Sequence, residues 1–142
     1  MQHAPTHHRL PRAGLDSIDT AEKALTAITM AMAQPLRFET VVAYLDFERR
    51  GIAFVVVSDT ESTDSVIDVI ECLCNPKAHD GRVGAIIVGS VRPGGEMDDG
   101  DVDRWLEMSD LADAAGVELL EWFVIGREIS CPRDAFGEAP RW

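Results

Sequence analysis

Residues 83–103 read "VGAIIVGSVRPGGEMDDGDVD". The short continuous apolar run over 83–89 predicts a strand buried on both faces. "SVRPGG" ends it in a Gly/Pro-rich turn. Five carboxylates follow (Glu96, Asp98, Asp99, Asp101 and Asp103) and lead into a helix over 101–115, with Val102, Trp105, Leu106, Ser109 and Ala112 on one stripe. Gly116 is placed as its C′ residue. "VELLEWFVIG" at 117–126 and "REISC" at 127–131 then read as strands.

Upstream, apolar residues at Ile18, Ala21, Leu25, Ile28 and Met32 predict a helix from Asp16 to about Ala33, capped by Asp16 or Ser17 and stopped by Pro35. "FETVVAYLDF" (38–47) and "IAFVVVS" (52–58) are strand-like, with "ERRG" as the hairpin turn between them. A further helix over 64–74 presents Val66, Ile67, Ile70 and Leu73, and "NPKAHDG" breaks it. The predicted order is α-β-β-α-β-α-β-β: one α/β domain over 15–134, a mixed β-sheet flanked by helices. Residues 1–14 read as a flexible N-terminal tail and 135–142 as a C-terminal tail.

Bulk properties narrow the function classes. The chain has 142 residues, a formal net charge of -12 and a pI near 4.6. Phosphate backbones are bound by Lys and Arg, so the expectation is no nucleic-acid partner. No apolar run approaches the roughly 18–20 residues of a membrane span. The N-terminus has no apolar core of a secretory signal. Three cysteines, Cys72, Cys74 and Cys131, do not make a disulfide framework. The expected location is the cytoplasm.

Several chemistries start from these residues. His3 behind a free amine matches a square-planar Cu(II) or Ni(II) site, a geometry any chain with His at position three shares. His79 lies before the 83–89 strand and the Gly-rich loop after it, about 20 Å apart at about 3.3 Å per residue, so it reads as a loop residue. Cys72 and Cys74, two apart on a helix, point in different directions and do not fit zinc. An EF-hand starting at Asp99 fails, because Arg104 stands at the glycine position and Asp110 at the final glutamate. The loop could instead hold an anion through Arg92, Gly94 and Gly95. Phe136 and Trp142 suggest either a self-association surface or aromatic residues that pack back on the domain.

Taken together, "ETVVAYLDFERRG", "AIIVGSVRPGG" and "DVDRWLEMSDLADAAGVELLEWFVIG" resemble the RadC-like JAB/MPN domain, the fold of the JAMM metalloproteases, over residues 36–134. The resemblance implies a JAB/MPN-like (cytidine-deaminase-like) fold. That family carries His-x-His-Pro-Ser-Gly after a buried strand, then a Ser and an Asp at the next helix, with a catalytic Glu on an early strand. Carried over by position, Ser90 and Arg92 stand for the two His ligands, while Pro93 and Gly95 are kept and Gly94 replaces the Ser. Gly100 takes the later Ser position, Asp103 the ligand Asp and Trp122 a frequent His. The catalytic Glu position falls on Phe38; Glu39 is adjacent, but a one-residue slip turns a strand side chain to the other face.

One Asp is too few ligands for a catalytic zinc, which uses three protein ligands and a water. Arg92 adds a charge: at about 4 Å and an effective dielectric of about 20, a +1/+2 pair repels by about 8 kcal/mol. The sequence therefore predicts a degenerate site with no metal, no cofactor and no catalytic residue, in which Arg92 pairs with Asp103. The implied function is a non-catalytic scaffold whose partner is another protein or a second copy. The alternatives are a remodelled metal-dependent hydrolase using Glu39, Asp103 and the His-rich tail, or a small anion-binding protein.

Overall fold

Eight residues of uncharged strand, Gly51–Ser58, lie at one margin of a five-stranded mixed sheet in the computed structural model, which describes residues 12–142. The elements run α1 (Ala21–Ala31), β1 (Glu39–Leu45), β2 (Gly51–Ser58), α2 (Ser65–Leu73), a 3-10 turn (Pro76–Ala78), β3 (Ala85–Val91), α3 (Asp101–Ala114), β4 (Glu118–Ile125), β5 (Ile129–Ser130) and α4 (Pro132–Phe136). The sheet order is β2-β1-β3-β4-β5, with β3 and β4 parallel and the other neighbours antiparallel. The protein is thus a mixed α/β single domain with helices on both sheet faces.

Strand alternation divides the core in two. Val42, Tyr44, Ile86, Val88, Trp122 and Val124 pack with α2 and α3 residues such as Val66, Ile70, Trp105 and Met108. Val41, Ala43, Ile87, Phe123 and Ile125 pack with Ile18, Ala24 and Ile28 on the α1 side. With both faces covered, β1 and β3 are buried at every position, and that is why they read as unbroken apolar runs. Gly89 marks the closest approach of α1, since a Cβ there would sit 2.7 Å from Ile28 Cγ2.

Some expected boundaries move. The first helix starts at Ala21 with Thr20 as N-cap, its hydroxyl accepting from Lys23 N at 3.2 Å. Asp16 and Ser17 are not the cap, because this segment is held by the hairpin instead: Ile18 N donates to Arg49 O, and Ser17 bridges Arg50. The strand expected over 83–89 runs over 85–91, and the last strand shrinks to two residues. On α3 the buried stripe is Asp101, Trp105, Met108, Ser109 and Ala112, while Leu106 is 37% exposed. Trp105, Ser109 and Ala112 are thus buried as expected, while Val102 is half-buried and Met108 takes the place of Leu106.

Residues 132–142 are docked on the domain. Arg133 Nε donates to the buried Glu121 carboxylate at 2.9 Å. Trp105 Nε1 donates to Glu138 Oε1 at 3.1 Å. The Arg141 guanidinium lies 4.4 Å from the Trp105 ring centroid and donates to Leu119 O at 2.9 Å. Trp142 packs back against the α1-side core, whereas Phe136 is exposed. The His-rich residues 3, 7 and 8 lie outside the described residues.

All three cysteines are free. Burial pushes the Cys74 thiol up to about 11, and burial together with the Glu121 carboxylate pushes Cys131 up to about 12. Cys72 is exposed. A thiol reagent at neutral pH should therefore titrate Cys72 quickly in the native protein and the other two only after denaturant is added. Fast labelling of Cys74 or Cys131 would contradict the burial.

Candidate functional site: the loop after β3

Arg92 leaves β3 still tied to the sheet, its amide donating to Ile125 O at 2.8 Å. The chain then turns through Gly94 at φ +69°, a left-handed conformation that favours glycine. Gly95 N returns to Arg92 O and Gly95 O accepts from Arg127 N, both at 2.8 Å. Gly126 makes this contact possible, because a Cβ there would fall 2.1 Å from Gly95 O. The loop after β3 and the end of β4 are thus one backbone-to-backbone unit.

Asp101, fully buried at the start of α3, is the centre of the site. Its Oδ1 accepts from Arg92 Nη2 and Arg104 Nη1, each at 2.8 Å. Its Oδ2 accepts from Arg92 Nη1 at 2.7 Å and from Asp98 N at 2.8 Å. A carboxylate has about four acceptor positions, and all are filled. The Arg92 contact is a two-pronged guanidinium–carboxylate pair, the geometry that most favours Arg over Lys. Arg92 also donates to Glu96 O at 3.1 Å, and its guanidinium carbon lies 6.0 Å from the Trp122 ring centroid.

Arg104 extends the network. Besides Asp101 it reaches Asp64 Oδ1 at 2.8 Å and Asp98 Oδ1 at 2.7 Å, joining the start of α2 to the start of α3. Burial opposes ionisation of Asp101, but the bonds from Arg92, the Asp98 amide and Arg104 outweigh it and hold its carboxyl below the usual value of 3.8. Burial likewise opposes the Arg104 charge, and its bonds to Asp64, Asp101 and Asp98 reverse this, raising its pKa.

The partner expected for Arg92 is corrected: it pairs with Asp101, not Asp103. Residues 101 and 103 are two apart on a helix and face different ways. Asp101 turns inward, while Asp103 is exposed. Phe38 is half-buried just before β1, its carbonyl accepting from Thr60 N. Glu39 is buried, and its Oε2 accepts from Ala33 N at 2.8 Å. By strand alternation it shares the α1 side with Val41 and Ala43, so the sheet separates it from Arg92 and Asp101. Ser90 is buried opposite Thr40 in the β1–β3 register, and its Oγ accepts from Trp122 Nε1 at 2.9 Å. Of the residues suggested for anion binding, Arg92 is committed to Asp101, Gly95 N is committed to Arg92 O, and Gly94 is exposed at the turn.

Asp101, Arg104 and Asp64 were the residues sequence reasoning missed. A usable signal existed: Asp98 and Asp101 bracket the start of a helix, and Arg104 lies one turn on from Asp101. Beside Ser90 and Arg92, the hydroxyl residues Thr40, Thr60, Ser62 and Thr63 line a hollow of about 10 Å³, room for about one water. Among the described residues no group of three or more His, Cys, Asp or Glu is placed to hold a metal ion. No helix among them is long and apolar enough to cross a membrane. Compared with family models and with curated proteins, the chain finds no match.

Proposed function

We propose that this chain is a non-catalytic JAB/MPN-like domain of the cytoplasm that serves as a protein-interaction or scaffold module. The observation that carries this reading is the Asp101 carboxylate with every acceptor position filled by Arg92, Arg104 and the Asp98 amide. Where the JAMM-like pattern would place a dication after β3, this chain has a buried guanidinium. A metal there would have to displace a paired cation from a site with room for about one water. The location of Glu39 on the far side of the sheet supports the same reading, since it removes the nearest substitute for a catalytic base. Three free thiols fit a reducing compartment.

Untagged protein purified with zinc in the medium should contain far less than one zinc per chain by elemental analysis. Added zinc should leave the thermal midpoint unchanged, because a ligand that binds only the native state raises it. Stoichiometric zinc that survives gel filtration, and is lost in Asp101→Asn, would overturn the reading in favour of a remodelled hydrolase.

A further inference from the structure

Arg141 is held as a bound ligand would be. Four of the five N–H donors of its guanidinium are bonded. Nε donates to Glu138 Oε2 at 2.6 Å and Nη2 to Glu138 Oε1 at 3.1 Å. Nη1 donates to Ser109 Oγ at 3.2 Å and to Leu119 O at 2.9 Å. The Trp105 ring closes the site from one side, its centroid 4.4 Å from the guanidinium carbon, a cation–π contact. A flat fork set two-pronged on a carboxylate and stacked on an aromatic face is a geometry that an ammonium group cannot copy.

The walls of this site are placed without help from Arg141. Trp105 and Ser109 are buried on α3, and Leu119 is buried on β4. The Leu119 carbonyl is within reach because β5 pairs with β4 only at Val124 and Ile125. Glu138 has its own anchors, since Arg133 Nη1 donates to its carbonyl and Trp105 Nε1 to its Oε1. The segment that delivers Arg141 has few others. Among the described residues no backbone N–H of residues 139–142 is bonded. Apart from the Arg141 guanidinium, the segment is held by Arg49, which donates to Arg141 O at 3.2 Å, and by Trp142 against the α1-side core. Segments tied by a few side chains open at a fraction of the global unfolding free energy. Ala139 and Pro140, both exposed, join it to Glu138.

We propose that Trp105, Ser109, the Leu119 carbonyl and Glu138 form a guanidinium-recognition site, with Arg141 as its resident ligand on a latch of residues 139–142. An arginine side chain of another protein fits the same site when the latch is open. The site gives the interaction module above a partner chemistry and rests on that reading only for its use, because none of these residues belongs to the Arg92–Asp101 network. Its lining selects the ligand. Glu138 and the Leu119 carbonyl offer acceptors only, so carboxylates and phosphates are refused, and the net charge of -12 favours a cationic segment.

Arg141→Ala in the full chain opens the site and leaves its walls in place. Ethylguanidinium at about 20 mM should raise the thermal midpoint of this variant by about 3 °C, as a ligand taken only by the folded state does. Ethylammonium at the same concentration should not, and neither compound should shift wild type, whose site is filled. N-acetyl-argininamide should act on the variant as ethylguanidinium does. Adding Glu138→Gln to Arg141→Ala should abolish the response. No rise in Arg141→Ala overturns the proposal, as does an equal rise with ethylammonium, in wild type or in the double variant. If Arg141→Ala does not fold alone, ethylguanidinium should restore its circular dichroism, and failure to do so counts equally against the site. Stoichiometric zinc in wild type, with the Arg141→Ala response intact, would end the non-catalytic reading alone.

Discussion

Asp101→Asn is expected to destabilise the fold by about 3–5 kcal/mol, the usual effect of removing one partner from a buried ion pair. Arg104 keeps Asp64 and Asp98 as partners, so most of the loss falls on Arg92, which retains only the Glu96 carbonyl. The new amide also turns a donor toward donors that converge on the old carboxylate. Arg92→Met combined with Asp101→Leu leaves no orphaned charge at the pair and should lie within about 1.5 kcal/mol of wild type. Urea unfolding of the three proteins measures this, with equal m-values required for the comparison. A single substitution costing under about 1 kcal/mol would show that the pair is not what fixes the loop.

The same pair sets a pH limb. The folded Asp101 carboxyl titrates below its unfolded value of 3.8, so its contribution is fully present above that value. It is lost as pH falls from 3.8 through the lower folded value, where the carboxylate takes up a proton. Asp101→Asn should be less stable at neutral pH, and its stability should fall less steeply than wild type in that acid range.

Trp105→Ala carries the second large effect, about 3–5 kcal/mol for emptying a fully buried indole site. In a protein of this size that corresponds to a fall of about 10 °C or more in Tm. More than packing is lost, because the ring also holds Glu138 through its N–H and lies under Arg141. Residues 137–142 should come free, and limited proteolysis of the variant should cut there before the rest of the chain. Trp105→Phe keeps most of the buried area and forfeits one hydrogen bond, at about 1 kcal/mol. An alanine variant whose C-terminal segment stayed protected would show that Arg133–Glu121 alone anchors it.

The helices and buried strands were legible because the sheet is covered on both faces, which makes β1, β3 and β4 largely apolar, although their ends shift by up to two residues from the expected ones. The docked C-terminal segment was not. Arg133, Glu138 and Arg141 look like solvent-exposed charges in sequence, and only the fold brings Glu121, Trp105 and the Leu119 carbonyl within reach. At the candidate site, the strand and the turn could be read from "SVRPGG", and the ion pair of Arg92 was expected from the resemblance. The partner could not: Asp101 and Asp103 are alike in composition, and only the phase of α3 turns one in and the other out.

The docked segment also has a consequence for how the protein is made. Residues 132–142 are the last of the described elements to leave the ribosome, yet they cap Glu121 and Trp105, which were synthesised earlier. Without them, the Glu121 carboxylate would keep only the Trp122 amide, and the Trp105 indole would lose Glu138 and Arg141. A chain cut before residue 132 is therefore expected to expose apolar surface that chaperones recognise.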